Sequence, residues 1–166
     1  MSFLRTFSDG LGKVLDALVV LLLVVMTVLM FSQVLGRYVF KNGLFWAEEL
    51  SRFSMVFMVY FGAALASKYH DHISVTLLDE MLARSKSKYA FKIYRTVIAL
   101  ITMAFLLVVT VIGIRALPMV NAQTSPNMEI PMSVAYASIP VGTTLMMLYI
   151  VIEIILLYAP ADGRKA

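Results

Sequence analysis

The chain has 166 residues, of which 61% are hydrophobic and 14% charged, against roughly 45–50% and 25% in a soluble domain. That balance excludes an ordinary soluble globule and marks an all-α membrane protein, a single membrane domain over 1–166 built of spans and short loops. The absence of cysteine excludes disulfides, thiol redox chemistry and thiolate metal sites, and the net charge of +4 reads as basic residues at a membrane surface, not as a nucleic-acid footprint.

Arg5 and Lys13 precede the first apolar run, as in a signal peptide. The run over 17–36 exceeds a signal core of about 7–15 residues and lacks a small-residue exit, so it reads as an uncleaved first span over 14–36. Periodicity does not separate strand from helix in such a run. Length does, and a membrane helix satisfies its own backbone where an open strand could not.

The second span has to be counted. The apolar stretch 53–67 rises only about 22 Å, short of a hydrocarbon core of roughly 30 Å, so the helix must recruit residues ahead of Phe53. With Lys68 at the boundary, Arg52 lies about 24 Å up the axis, Glu49 about 28 Å and Trp46 about 33 Å. The expected span is 46–67, with Arg52 just inside the hydrocarbon edge and Trp46 in the interfacial belt.

Residues 71–92 form a connector in which Ile73, Leu77, Leu78, Met81 and Leu82 make an apolar stripe, predicting a short amphipathic helix on the cytoplasmic side. Arg84, Lys86, Lys88 and Lys92 would face anionic lipid headgroups. The third span covers 93–117, with Arg115 near its end and Pro118 as its stop. After a loop with a Pro126–Asn127 turn, the fourth covers 131–158, and Pro140 predicts a kink by displacing the Tyr136 carbonyl. Arg5, Lys13, Lys68, Arg84, Lys86, Lys88, Lys92, Arg95, Arg164 and Lys165 would share one side, against Arg37, Lys41, Arg52 and Arg115 on the other. That excess places both termini in the cytoplasm.

Several constellations invite function. Glu48, Glu49 and Arg52 stand at helical spacings that favour a local ion pair, and the depth of Arg52 adds the expectation of a partner contact. Trp46 with Tyr38, Phe40 and Phe45 reads as an aromatic belt compatible with that contact. Gly62/Ala66 and Ala63/Ser67 are small-xxx-small pairs where another helix, of this chain or of a partner, can approach closely. His70 and His72 around Asp71 lack third and fourth ligands, so no metal site is expected, and the only two histidines do not face each other as haem ligands would. Glu153 and Asp16 read as interfacial acids or as relay groups, the interfacial reading being favoured. No nucleophile–base pair, phosphate loop, dinucleotide fingerprint or internal repeat is present, so neither catalytic residue nor cofactor is expected.

Residues 36–75, GRYVFKNGLFWAEELSRFSMVFMVYFGAALASKYHDHISV, resemble the small, DctQ-type membrane subunit of tripartite ATP-independent periplasmic (TRAP) transporters. Arg37, Tyr38, Trp46, Glu48, Glu49, Arg52, Gly62, Ala63, Ala64, His72, Ile73 and Val75 match that family's pattern. Pro126, Ile130, Pro131, Tyr136, Pro140 and Gly142 resemble its fourth-span entry, whereas Tyr69, His70 and Asp71 depart from more basic, glycine-containing versions. The resemblance implies a multi-pass protein of the bacterial inner membrane in its separate-chain form. It implies a stable heterodimer with a large membrane subunit that carries the substrate and sodium sites. A soluble periplasmic binding protein would dock transiently on the outer face to deliver an organic acid, a C4-dicarboxylate or sialic acid. Arg37, Tyr38, Trp46, Glu48, Glu49, Arg52, Gly62 and Ala66 are the expected interface with the large subunit. A self-sufficient four-helix exchanger would need an acid deep in the first span, and residues 17–36 hold none; a membrane electron carrier or enzyme finds little support without cysteine or facing histidines.

Overall fold

The computed structural model describes residues 2–69 and 88–158. Five helices follow in order: α1 (Ser2–Tyr38), α2 (Phe45–Tyr69), α3 (Lys88–Asn121), α4 (Ser133–Tyr136) and α5 (Ser138–Tyr158). Four stretches, Thr6–Tyr38, Phe45–Tyr69, Lys92–Asn121 and Ser133–Tyr158, are long and apolar enough to cross a membrane. The four expected spans are therefore present. Arg84, Lys86, His70, His72 and the apolar stripe of the connector lie outside the described residues. From Lys88 to Lys92 the chain is already part of α3 rather than of a separate helix.

Three boundaries differ from the sequence expectation. α1 begins at Ser2, twelve residues ahead of Val14, because its first turns carry polar residues that a hydropathy reading leaves outside the span although they are helix-compatible. α3 does not stop at Pro118 but runs on to Asn121. A proline in the last turn removes a single hydrogen bond near a helix end, where Gln123 N–H closes the chain onto the Val120 carbonyl at 3.0 Å. The fourth span divides into α4 and α5 at Ala137, three residues ahead of Pro140, although Ala137 itself keeps helical dihedrals (φ −62°, ψ −22°). Ser138, fully buried, donates its hydroxyl to the Ala135 carbonyl at 2.6 Å across that break.

The helices form an open row rather than a closed bundle. α1 packs on α2, α2 on α5 and α5 on α3, while among the described residues α1 barely touches α5 and does not touch α3. α1 and α3 run antiparallel to their neighbours, whereas α2 and α5 run parallel, so the start of α1 and the end of α5 lie at one end. Both junctions of α5 depend on small residues. A Cβ added at Gly142 would come within 2.5 Å of the Tyr60 Cβ of α2, and one at Gly113 of α3 within 3.4 Å of the Pro140 ring. Between these approaches the Thr110 and Thr143 hydroxyls share a hydrogen bond of 2.7 Å. Close backbone approach and interhelical hydrogen bonds are what hold helices together in lipid, where apolar burial gives little drive. Leu15, Ala64, Leu65 and Tyr149 form the central packed cluster.

The terminal end is tied by polar contacts. Lys68 of α2 reaches Asp9 at 3.4 Å, lying across α1 where a side chain at Gly12 would collide with it, and Tyr69 donates its hydroxyl to Asp16 at 3.0 Å. Arg95 of α3 pairs with Glu153 of α5 at 3.2 Å, and the Thr96 and Tyr158 hydroxyls meet at 2.8 Å. Asp16 and Glu153 are thus ends of helix-to-helix ties. The Lys92 ammonium lies 5.5 Å from the Tyr158 ring centroid, folded onto the neighbouring helix.

Candidate functional site

The polar chemistry of the opposite end gathers around the start of α2. The chain reaches it through a tight loop after α1: Val39 N–H bonds to the Leu35 carbonyl at 2.8 Å, and Asn42 N–H to the Gly36 carbonyl at 2.9 Å. Gly36 is required there, because a Cβ would lie 2.8 Å from the Asn42 carbonyl oxygen. Lys41 takes a left-handed conformation (φ 50°) to complete the turn. Glu48 then falls in the first turn of α2, where the exposed backbone N–H groups favour a carboxylate.

Adjacent on the helix, Glu48 and Glu49 serve different neighbours. Glu48 pairs with Arg52 one turn on and accepts a hydrogen bond of 3.1 Å from Gln33 Nε2 of α1. That contact satisfies a glutamine buried in the second half of the first span. Ser51, buried against α1, donates to the Glu48 carbonyl at 2.8 Å with Met30 Sδ at 3.8 Å. Glu49 turns instead towards the loop between α3 and α4 and is only 8% exposed.

That loop is a small hairpin closed by a bridge between Thr124 and Pro131. Ser125 N–H bonds to the Ile130 carbonyl at 2.9 Å, Met132 N–H to the Gln123 carbonyl at 2.8 Å, and Glu129 sits left-handed at φ 54°. The Glu49 carboxylate fills its concave side. Oε2 accepts from the Ser125 hydroxyl at 2.8 Å and from Met128 N–H at 2.9 Å; Oε1 accepts from Asn127 N–H at 2.9 Å and Asn127 Nδ2 at 3.0 Å. Two consecutive backbone N–H groups converging on one anion form a nest, and each hydrogen bond is charge-assisted. The expected ion pair therefore forms through Glu48, while Glu49, placed among the interface residues by the sequence, is engaged within its own chain.

The remaining expected interface residues divide clearly. Glu48, Arg52, Met55, Val59, Gly62 and Ala66 follow one another at alternating steps of four and three residues, a single line down α2. Arg52 is 72% exposed at its side chain, Met55 and Val59 are exposed, and a Cβ at Gly62 would meet nothing within 4 Å. Among the described residues no helix closes onto Gly62, and Ala66 is half-buried. Ala64 and Ser67, on the other side of α2, are the small residues that do become buried. Arg37 ends α1, where a cation suits the helix dipole, and Tyr38, Phe40, Phe45 and Trp46 are all exposed around the loop. Ser125, Asn127 and Met128 were not singled out as site residues by the sequence beyond the Pro126–Asn127 turn, because their contact with Glu49 is made across 76 to 79 residues.

The arrangement anchors and presents; it does not assemble a nucleophile, a base and an acceptor. It defines a multi-pass helical membrane protein whose polar groups hold elements in place. Residues 26–159 match the family described as tripartite ATP-independent periplasmic transporters, DctQ component, and the chain belongs to that family. A putative TRAP transporter small permease protein of Haemophilus influenzae is 35% identical over 79 residues, 48% of this chain and 49% of that protein. The C4-dicarboxylate TRAP transporter small permease proteins DctQ of Vibrio cholerae and Rhodobacter capsulatus are 35% and 33% identical, over 51% and 62% of this chain and 35% and 44% of theirs. The matches span about half the length of these curated relatives or less. The relatives are transporter permease subunits, not enzymes, and family and spans together place the chain in the bacterial inner membrane as a multi-pass protein.

Proposed function

We propose that this chain is the small scaffold subunit of a sodium-coupled TRAP transporter importing an organic acid handed over by a periplasmic binding protein. The relatives named for C4-dicarboxylates favour that substrate class over sialic acid. The supporting observation is the open line of α2. It carries an ion pair at its hairpin end and small residues lower down, features that suit a protein neighbour better than lipid tails. A large membrane subunit holding the substrate and sodium sites would lie against this line in a stable heterodimer, and the small subunit would keep the static part of that partner in place. The excess of basic residues at the terminal end orients that end to the cytoplasm, which turns the Glu49-bound hairpin to the periplasm and to the binding protein. Deleting this chain while retaining its partners is expected to abolish uptake in cells; undiminished uptake would overturn the reading.

A further inference from the structure

At the hairpin end, α2 is held to its neighbours by adjacent residues. Glu48 takes Gln33 of α1 at 3.1 Å, and Ser51 lies against Met30 of the same helix. Among the described residues α2 does not touch α3, and it meets the single turn of α4 only lightly. Its close approach to α5, where Gly142 admits Tyr60, comes eleven residues after Glu49, about 16 Å down the axis. From there to the hairpin end, the hydrogen bonds that join α2 to the segment between α3 and α4 are those of Glu49.

The frame of the hairpin does not use Glu49. Ser125 bonds to Ile130, Met132 to Gln123 and Glu129 to Ser125 through the backbone, and Ser133 donates to Asn121 Oδ1 at 2.7 Å. Only at the tip do the Ser125 hydroxyl, Asn127 N–H, Asn127 Nδ2 and Met128 N–H converge, each 2.8–3.0 Å from a carboxylate oxygen. Two donors fall to each oxygen. That set suits an anion, whereas a neutral amide would turn its own NH2 group towards donors.

We infer that the hairpin is a receptor for a carboxylate group and that Glu49 is its tethered ligand, a latch joining α1 and α2 to α3–α5 at the hairpin end. The receptor recognises the anion; the latch needs the covalent link from that anion to α2. With the latch open, α2 pivots about its approach to Gly142 and carries the Arg52 line with it. This consequence for a large subunit rests on the function proposed above, whereas the latch itself does not.

The test uses the purified full chain alone, so its outcome is independent of any partner. Trp46, the only tryptophan, stands three residues before Glu49 and serves as energy donor. The natural chain has no cysteine, so Gln123→Cys, at an exposed position of the hairpin, carries a dansyl acceptor. Glu49→Ala should lower the transfer between them and speed amide exchange of Asn127 and Met128 by about tenfold or more. Acetate can then enter the emptied receptor. Lacking the tether, it has to be supplied at a concentration on the order of the effective one it replaces, millimolar or above. It should restore protection of Asn127 and Met128 but leave the transfer low, while acetamide, of the same shape without the charge, should restore neither. Glu49→Gln keeps the receptor filled, so it should lose protection that acetate does not return. Acetate acting no better than acetamide would overturn the receptor. Transfer that stays at the wild-type level in Glu49→Ala, or that recovers with acetate, would overturn the latch.

Discussion

A carboxylate with 8% exposure that accepts hydrogen bonds from Ser125, Asn127 and Met128 fixes the shape of the hairpin between α3 and α4. Glu49→Gln keeps the volume but loses the charge and turns an NH2 group towards donors. Donors left unsatisfied at a partly buried site cost about 1–3 kcal/mol each, and water at the hairpin recovers part of that. A local loss of about 2 kcal/mol follows, so amide exchange of Asn127 and Met128 should speed up roughly 30-fold while the spans keep their protection. Unchanged exchange would mean that the hairpin holds its shape without Glu49. Arg52→Ala is the contrasting case. Its pair with Glu48 is local and largely exposed, so the isolated chain should lose no more than about 0.5 kcal/mol. The sequence made the Glu48–Arg52 pair legible because helical spacing brings the two together. It hid the role of Glu49, since no local pattern announces a donor set brought up by another part of the chain.

At the scale of the element, glycines of similar appearance have opposite meanings. Gly142 lets α5 approach the Tyr60 Cβ of α2, an atom next to the backbone that cannot swing aside. Gly142→Val should therefore force the helices apart, costing about 1–3 kcal/mol and lowering the thermal midpoint of the purified chain. Gly62→Ala adds a methyl group to open space and should leave that midpoint unchanged or raised, as expected for removing a helix-interior glycine. Equal losses from both would contradict the helix order. The span count was readable because each apolar run had the length of a bilayer. The early start of α1 and the passage of α3 through Pro118 were not, because polar first turns and end-of-helix prolines are compatible with helix without demanding it.

For the whole molecule, hydropathy indicates which segments cross the membrane but not which of them touch. A row with α5 between α2 and α3 follows from contacts at Gly142, Gly113 and the Thr110–Thr143 pair, none of them marked by sequence spacing. The natural chain has no cysteine, so paired substitutions report neighbours directly. Thr110→Cys with Thr143→Cys should form a disulfide on oxidation, whereas cysteine pairs placed at matching depth in α1 and α3 should not. An open row leaves Arg52, Met55 and Val59 of α2 exposed, in line with the half-buried Glu48, Gly62 and Ala66, the face proposed to rest on a large membrane subunit. The decisive measurement is co-purification of that subunit with Gly62→Leu and Arg52→Ala variants, each checked for an unchanged thermal midpoint as an isolated chain. The variants should fold normally yet retain much less of the large subunit than the wild type, Gly62→Leu most severely. Full retention of the partner by both variants would contradict the central claim.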